Sequence, residues 1–355
     1  MTDFLVKRDD LRECRIDESG APEIDDGQAL LRVETFGLTA NNVTYAVLGD
    51  AMSYWDFFPA PDGWGRVPTW GFAEVERSGV EELEPGTRLY GYLPPSSHLV
   101  VTPAGARQSG FVDGSPHRAA LPSVYQRYQA TTADRFYRAD TEAMQILLRP
   151  LFYTSFLIDD QLADEGLTER GPIVVASASS KTAIAAAFLL ARREEVELIG
   201  LTSPGNAEFV EGLGIYDRTV AYDAIDSLER GPATFVDISG DGAVRLAVHE
   251  RYGDQLVHSM AVGFTHWEAS QAGAGELPGP KPVFFFAPDR IVKRGKEWGR
   301  AGLEHRVADA WHPFCEWVAG WLEPIRGEGF EAARSAYLDV LEGRVDPARA
   351  HVLSL

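Results

Sequence analysis

The sequence predicts an α/β protein with two domains, a compact β domain followed by a doubly wound parallel sheet. Residues 1–125 contain short strands separated by Gly and Pro, whereas strands and helices alternate from about residue 140. A chain of 355 residues is also longer than one hydrophobic core usually serves. We expect the β domain over 1–135, the parallel-sheet domain over 136–289, and a return to the first domain over about 290–355.

Short segments bounded by turn residues define the β domain. Candidate strands lie at 28–36, 71–78, 84–92 and 98–103. Regular short strands with turn signals between them are typical of a small barrel-like domain.

Apolar runs of about five residues define the second domain, and they are typical of strands buried on both faces of a parallel sheet. A helix over 141–163 precedes them and is expected to break at Pro150, which lacks a backbone N–H. Aromatic residues at helical spacing over 311–321 are expected to be core packing. The expected strands are 173–176, 197–202, 218–222, 233–238, 255–262 and 282–288, with helices at 182–193, 207–213 and 242–251.

Composition excludes several classes of function. The net charge of −20 argues against a nucleic-acid partner, which requires a basic face. Neither a signal peptide nor a membrane-length apolar run is found, so we expect a cytoplasmic protein with no membrane partner. Two distant cysteines, Cys14 and Cys315, and scattered histidines predict neither a disulfide framework nor a metal site.

A turn of small polar residues follows the first parallel strand. The segment Ser177-Ala178-Ser179-Ser180-Lys181-Thr182 leads into an alanine-rich helix, the arrangement in which nucleotide phosphates meet a helix N terminus. The turn has no glycine to allow close approach of the backbone, so its serine hydroxyls would supply part of the hydrogen bonding to phosphate. Two alternatives are an ordinary strand–turn–helix and a Walker A loop, although both glycines that a Walker A loop requires are absent.

The loop after the second parallel strand bears on the choice of cofactor. It lacks the acidic residue that binds the ribose 2′-hydroxyl of NAD, whereas Thr202, Ser203 and Asn206 can donate to a 2′-phosphate. NADP is therefore favoured over NAD, with Lys181 as the nearby cation because the loop has no Arg. Further cofactor-binding candidates at the same sheet edge are Asp237, Ser239, Gly240, Gly263 and Phe286.

The order of the parts resembles the medium-chain dehydrogenase/reductase superfamily, in which a GroES-like β domain is followed by a Rossmann domain and a return. The resemblance is to the zinc-free quinone and enoyl-thioester reductase branch, and the whole chain resembles the bacterial DUF2855 family. Residues 177–183 align without gaps on that branch's Gly-Ala-Ser-Gly-Gly-Val-Gly turn, and 36–49 resemble its Gly-Val-Asn-Pro-x-Asp segment. The Cys that binds zinc in other members is missing there.

The resemblance implies the catalytic residues. Tyr45 matches an active-site tyrosine, with Asn42 and Asn41 beside it, and Tyr153 and Thr154 match a segment that lines the nicotinamide. An aromatic segment is expected to line an apolar substrate pocket, the alternative being a loop packed against the core. The pocket candidates are Asn41, Tyr54, Trp55, Phe58 and Trp70.

Three functions remain open from the sequence. The first is a zinc-independent NADP(H)-dependent reductase of an activated C=C or C=O in an apolar, aromatic or acyl small-molecule substrate. The second is a redox-neutral lyase or retro-aldol enzyme on the same scaffold, and the third is a non-catalytic binding protein. The resemblance also implies a homodimer through a Rossmann edge strand, for which Phe284-Phe285-Phe286 is the candidate.

Overall fold

The computed structural model describes residues 1–262 and 277–355, which form two compact units. Unit 1 comprises Met1–Leu147 together with Leu322–Leu355, and unit 2 comprises Leu148–Trp321. The return to the first unit thus comes later than the expected residue 290, because a helical segment over 287–318, kinked at Gly299, packs its aromatic side chains within unit 2.

The described elements are as follows, in chain order. The strands are β1 (Thr2–Lys7), β2 (Cys14–Glu18), β3 (Ala29–Leu38), β4 (Trp64–Gly65), β5 (Thr69–Ser78), β6 (Arg88–Leu93), β7 (His98–Val101), β8 (Pro103–Arg107), β9 (Gly110–Asp113), β10 (Arg127–Ala130), β11 (Ile173–Ala176), β12 (Leu198–Thr202), β13 (Arg218–Ala221), β14 (Ala233–Asp237), β15 (Leu256–Ala261), β16 (Val283–Phe284), β17 (Glu323–Glu328) and β18 (Arg349–Ser354). The helices are α1 (Ala40–Val47), α2 (Glu142–Asp164), α3 (Lys181–Leu190), α4 (Ala207–Gly212), α5 (Gly242–Tyr252), α6 (Ala287–Val318) and α7 (Gly329–Leu341).

Unit 1 is built on two sheets. The smaller has the order β2-β1-β4, and the larger has the order β17-β18-β3-β5-β6-β10-β9-β8, with β7 also paired to β3. Alternate residues of the central strands, such as Phe36 and Val75, are fully buried, as period-2 strands with one buried face require. Helix α7 contributes Ala333 and Tyr337 to the same core.

Unit 2 contains a parallel sheet with the strand order β13-β12-β11-β14-β15-β16. Strands β11, β12 and β14 are buried along their whole length, which explains their largely apolar sequences. The strand order reverses between β11 and β14, and in sheets of this kind ligands bind at the carboxyl ends of the strands at such a reversal.

Helix α2 runs through Pro150 without a break, contrary to the expected interruption. Burial of Leu147, Leu148 and Phe152 on both sides of the proline outweighs the one backbone hydrogen bond that it removes.

The aromatic residues at the end of α6 are core packing, as predicted. Trp311 and Phe314 are buried and contact Phe152, while Phe188 contacts both Phe314 and Trp317.

The last strand of the parallel sheet is shorter and more exposed than expected. Val283, Phe284 and Phe286 are 49%, 39% and 49% exposed, and only Phe285 is buried. Strand β16 is the last strand in the order of the sheet and pairs there with β15. Edge strands of this kind are less enclosed than central strands.

Among the described residues, no helix is both long enough and apolar enough to span a membrane.

Candidate functional site

The turn after β11 has the backbone conformation that a glycine would adopt. Ser177 has φ of +60°, in the left-handed region where residues other than glycine are strained by about 1–3 kcal/mol. The turn therefore has, at Ser177, a backbone conformation that favours glycine although its sequence contains no glycine.

Most backbone N–H groups of this turn already have acceptors in the structure. The Ser177 N–H donates to the Tyr222 hydroxyl at 3.0 Å, and the Ser180 N–H donates to the Ser177 carbonyl at 2.7 Å. The Ala178 N–H donates to the Leu201 carbonyl at 2.9 Å. A phosphate at this turn would consequently depend on hydroxyl groups and on the first turn of α3 more than on the turn's own N–H groups.

The structure brings Ser179 together with two candidates from the next strand end. Asn206 Nδ2 donates to Ser179 Oγ at 3.0 Å, and Thr202 Oγ1 lies 3.5 Å from the same oxygen. Gly200 lets Ala178 of the turn pack close to β12, since a Cβ there would lie 3.0 Å from the Ala178 Cβ. Ser203, next to Thr202, caps the short helical turn 204–206.

The N terminus of α3 is formed and capped at this turn. The Ser180 side chain accepts a hydrogen bond from the Ala183 N–H at 3.3 Å, which is the usual N-cap contact. Lys181 and Thr182 form the first helical turn, where backbone N–H groups and the helix dipole favour an anion. Helix α2 supports this turn, because Ser155 Oγ donates to the Thr182 carbonyl at 2.8 Å.

Asp237 makes structural contacts with both of its carboxylate oxygens. It is fully buried at the end of β14, with one carboxylate oxygen accepting from Ser239 Oγ and the Gly240 N–H. The other oxygen accepts from the buried Arg245 guanidinium at 2.7 Å. Asp237 therefore shapes the loop carrying Ser239 and Gly240, and its role in cofactor binding stays a prediction.

The remaining candidates of unit 2 make no hydrogen bond to the turn within the described part of the chain, although Ser155, next to Thr154, bonds to the Thr182 carbonyl. Tyr153 and Thr154 are half-buried on α2, where Thr154 Oγ1 donates to the Pro150 carbonyl at 3.2 Å. Burial, and to a lesser degree the charge of Glu304, raises the pKa of Tyr153 to about 12. Phe286 is exposed and stacks on Phe284, and Gly263 lies outside the described residues.

Tyr45 lies in an aromatic cluster within unit 1. Its ring lies 4.6 Å from that of Tyr54 and 5.6 Å from that of Tyr92, and Trp70 Nε1 donates to its hydroxyl at 3.5 Å. Burial raises the pKa of Tyr45 to about 12, against smaller opposing contributions from Trp70 and Asn41. The Tyr45 hydroxyl therefore stays protonated at neutral pH and can donate a hydrogen bond.

Tyr125 joins the same group. Its ring lies 4.8 Å from that of Tyr92, and its hydroxyl lies 3.4 Å from that of Tyr54. Burial, with the neighbouring hydroxyls adding to it, raises the pKa values of both Tyr92 and Tyr125 above their usual range. The tyrosine cluster, defined as Tyr45, Tyr54, Tyr92 and Tyr125 with Trp70, is thus a set of neutral hydroxyls against aromatic rings.

Asn42 makes structural hydrogen bonds with both of its side-chain polar atoms, and its catalytic role stays a prediction. Its Oδ1 accepts from the Thr39 N–H at 2.8 Å as part of a capping box at the start of α1. Its Nδ2 donates to the Pro68 carbonyl at 2.8 Å, and the side chain is buried. These bonds hold α1, and so Tyr45, against the strand that follows Pro68.

Trp55 and Phe58 are buried core residues, and Trp55 also lines a surface cavity with Asp56 and Leu121. The substrate-pocket role of both residues stays a prediction. Trp55 is 1% exposed and lies between two glycines, since a Cβ on Gly49 or Gly65 would come within 2.0 or 2.4 Å of its ring. Phe58 is 2% exposed and packs under the Arg118 guanidinium at 4.7 Å. Tyr54, Trp70 and Asn41 are half-buried and remain accessible.

Sequence reasoning missed Tyr222, Tyr92 and Tyr125. Tyr222 directly follows β13, the third strand end of the same sheet edge, so strand-end position was a usable signal. Tyr92 and Tyr125 join Tyr45 only through the packing of distant segments, which no local pattern encodes.

Within residues 1–262 and 277–355, no group of three or more His, Cys, Asp or Glu side chains is placed to hold a metal ion.

The sequence profile of DUF2855, described as a protein of unknown function, matches residues 36–346. No curated protein matches the sequence significantly.

Solved structures share the fold at low identity. CurA from Vibrio vulnificus, determined with NADPH, is 15% identical with a TM-score of 0.62, and the match covers 100% of this chain and 99% of that one. The yhdH oxidoreductase from Salmonella enterica, determined with NADP, is 14% identical with a TM-score of 0.56 over 100% of both chains. A mutant enoyl thioester reductase from Candida tropicalis is 12% identical with a TM-score of 0.58, covering 100% of this chain and 99% of that one. The fold is that of a medium-chain reductase, with a GroES-like and a Rossmann-like part.

Proposed function

The chain belongs to the DUF2855 family, and we propose that it is a zinc-independent, NADP(H)-dependent oxidoreductase that reduces an activated C=C or C=O of an apolar small molecule. The observation that carries this proposal is the turn at Ser177–Thr182. It combines a left-handed residue, a capped helix N terminus and a hydroxyl cluster at the reversal point of a parallel sheet. Structures of the same fold determined with NADPH and NADP add support.

The turn residues fit the phosphates of a dinucleotide. The first turn of α3 offers N–H groups and the positive end of the helix dipole, and Ser179 and Thr182 add hydroxyl donors. Thr202, Ser203 and Asn206 follow the neighbouring strand, where we assign the 2′-phosphate of NADP. When bound, the nicotinamide supplies a hydride, which is the two-electron chemistry of these cofactors.

We assign Tyr45 as the hydrogen-bond donor toward the substrate oxygen. It is neutral up to high pH because burial raises its pKa to about 12, and Trp70 and Asn41 orient its hydroxyl from the other side. A neutral donor stabilises negative charge that develops on a carbonyl oxygen without the need for a metal. Asn42 positions α1 and does not contact the reacting groups in this assignment.

A titration with nucleotides tests the proposal. The melting temperature of the full-length protein is recorded with NADPH, NADH and 2′,5′-ADP, since a ligand that binds only the folded state stabilises it. We expect stabilisation by NADPH and 2′,5′-ADP and a smaller effect of NADH. The variant Ser179→Ala should reduce the NADPH shift, while Ser227→Ala, which alters a serine on an exposed loop of unit 2, should not. The absence of any shift with both dinucleotides would disprove the proposal.

A redox-neutral enzyme on the same scaffold is the second candidate. The observation that favours it is the internal bonding of the turn's N–H groups to Tyr222, Leu201 and Ser177. Such an enzyme would convert its substrate without a change in the absorbance of the nicotinamide, because no hydride would be transferred.

A further inference from the structure

A surface cavity in unit 1 is lined by Arg8 and by residues from the segments 51–60 and 117–122. Its volume is about 600 Å³, which is within the range of small-molecule sites. Trp55 lines it, but no member of the tyrosine cluster and no residue of the turn at 177–182 does. The cavity is therefore separate from the groups to which we assign the cofactor and the substrate oxygen.

Arg8 is held at this cavity with the outer edge of its guanidinium free. Its Nε donates to the Trp64 carbonyl at 2.9 Å, and its Cζ lies 5.7 Å from the centre of the Trp55 ring. Among the described residues, the nearest carboxylate oxygen is that of Asp50 at 3.9 Å, and water screens this pair because the Asp50 side chain is 80% exposed. The two terminal nitrogens of Arg8 are thus available to a carboxylate, which a guanidinium binds through two parallel hydrogen bonds.

Asp56 lines the same cavity but forms no ion pair with Arg8. It is exposed on the short helical turn 54–57, and its carboxylate has no hydrogen-bond partner among the described residues. Two opposite charges that share a cavity without touching attract a ligand that carries both charges. His117, exposed on the short helical turn 116–118, adds an imidazole N–H that can donate to the carboxylate of such a ligand.

Most of the remaining lining is apolar. Met52 is 41% exposed although its side chain is large and apolar, and Leu121 and Pro59 line the cavity with it. Ser53, also in the lining, has φ of +56°, a strained conformation of the kind that occurs at ligand sites. An apolar lining with a few polar groups is typical of small-molecule sites.

We propose that this cavity binds a small zwitterion with an apolar side chain, such as an α-amino acid. The carboxylate of the ligand contacts Arg8, its ammonium group contacts Asp56, and its side chain packs on the apolar lining. A zwitterion has no net charge, so the protein's net charge of −20 does not repel it as it would a simple carboxylate. The site uses residues of unit 1 alone and does not depend on the proposed oxidoreductase activity.

Titration of the full-length chain with four probes, followed by saturation-transfer NMR, tests the proposal. L-Leucine carries both charges and an apolar side chain, isocaproate lacks its ammonium group, isopentylamine lacks its carboxylate, and glycine lacks its side chain. We expect L-leucine to bind about tenfold more tightly than isocaproate and isopentylamine, because each of these lacks one charged hydrogen bond. Glycine should also bind more weakly than L-leucine, because it buries no apolar side chain.

Two variants separate the roles of the two charges. Arg8→Gln should weaken L-leucine about tenfold, whereas Arg107→Gln, at an exposed arginine of unit 1 outside the cavity lining, should not. Asp56→Asn should weaken L-leucine but strengthen isocaproate, because it removes the partner of the ammonium group and the repulsion of the carboxylate. Asp26→Asn, at another exposed carboxylate of unit 1, is its control.

Three outcomes would overturn the proposal: no binding of L-leucine, binding of isocaproate or isopentylamine as tight as that of L-leucine, and equal effects of Asp56→Asn and Asp26→Asn. Asp56→Asn keeps the test decisive if Arg8→Gln fails to fold, because the Asp56 side chain is exposed and its replacement breaks no described hydrogen bond. NADPH binding by the same protein tests the proposed function separately, so either proposal can fail while the other stands.

Discussion

The Tyr222 hydroxyl accepts a hydrogen bond from the Ser177 backbone N–H at 3.0 Å, so a side chain from a third strand end closes the turn after the first. While it accepts this bond, the hydroxyl can still donate its own proton to a phosphate oxygen. One hydroxyl group, that of Tyr222, would thus both stabilise the turn and bind the phosphate that we propose there.

Replacing Tyr222 with Phe tests this link. We expect the unfolding free energy to fall by about 1 kcal/mol and NADPH affinity to fall about fivefold, since one hydrogen bond is lost in each state. Calorimetric titration and urea unfolding measure the two effects. Tyr252→Phe, which removes an unpartnered buried hydroxyl of the same unit, should change neither quantity in this direction. Unchanged NADPH affinity in Tyr222→Phe would remove Tyr222 from the site.

The left-handed conformation of Ser177 predicts an unusual order of substitutions. Ser177→Gly should change the unfolding free energy by less than about 1 kcal/mol, because relief of backbone strain offsets the entropy that glycine loses on folding. Ser177→Val should lower it by about 2 kcal/mol, because a β-branched residue at positive φ is strongly strained. Urea unfolding of the two variants gives the comparison. Equal stabilities would mean that the turn can adopt another backbone conformation.

The packing of Trp55 between two glycines predicts intolerance at Gly49. A Cβ at Gly49 would lie 2.0 Å from Trp55 Nε1, so Gly49→Ala should lower the unfolding free energy by about 2 kcal/mol through overpacking. Gly20→Ala is the control, because nothing lies within 4 Å of its Cβ position. Thermal unfolding distinguishes them. If Gly49→Ala is as stable as the control, the Trp55 ring can shift away from the added methyl group. That result would support the predicted pocket role of Trp55.

His249 predicts a loss of stability in mild acid. Its ring is buried between the Pro278 carbonyl at 2.8 Å and Ser259 Oγ at 2.9 Å, and burial lowers its pKa below the ordinary 6.5. Arg245 lowers that pKa further, while the Pro278 carbonyl and Asp237 raise it. Because the folded state binds the proton less readily than the unfolded state, the neutral ring stabilises the fold above pH 6.5, and this contribution declines as the pH falls below it.

Urea unfolding between pH 5 and pH 8 measures this dependence. We expect His249→Gln to be less stable than the parent at pH 8 and to lose less stability on acidification. Burial also lowers the pKa values of His258 and His351. These two residues should still contribute to the pH dependence of the unfolding free energy in that variant. A variant with the parent's full pH dependence would assign the effect to those histidines.

The parallel sheet was predictable because its buried strands are continuous apolar runs, and β11, β12 and β14 lie where those runs predicted them. Strand β17 was missed, since Glu323–Glu328 contains Pro324 and Gly327, is only partly buried, and is defined by pairing with β18. Its sequence carries no local strand signal.

The candidate site was likewise predictable from the sequence only in part. Ser179, Thr202 and Asn206 could be grouped from sequence because neighbouring parallel strands end at one edge. Asp237 and Asn42 looked equally suitable, but their polar atoms are used by neighbours in their own loops and helix ends. Whether a polar side chain is free for a ligand depends on those partners, which residue type alone does not reveal.

The pairing of β3 with β18 has a consequence for synthesis of the chain. Residues 35–38 lie beside 351–354, so the sheet that contains β3 cannot be completed before β18 has been translated. Until then, β3 presents an open edge to other chains, and such edges promote aggregation. Unit 2, which is continuous in sequence, has all its strands available earlier. The nascent chain should therefore finish its nucleotide-fold half first and depend on chaperones chiefly for the other half.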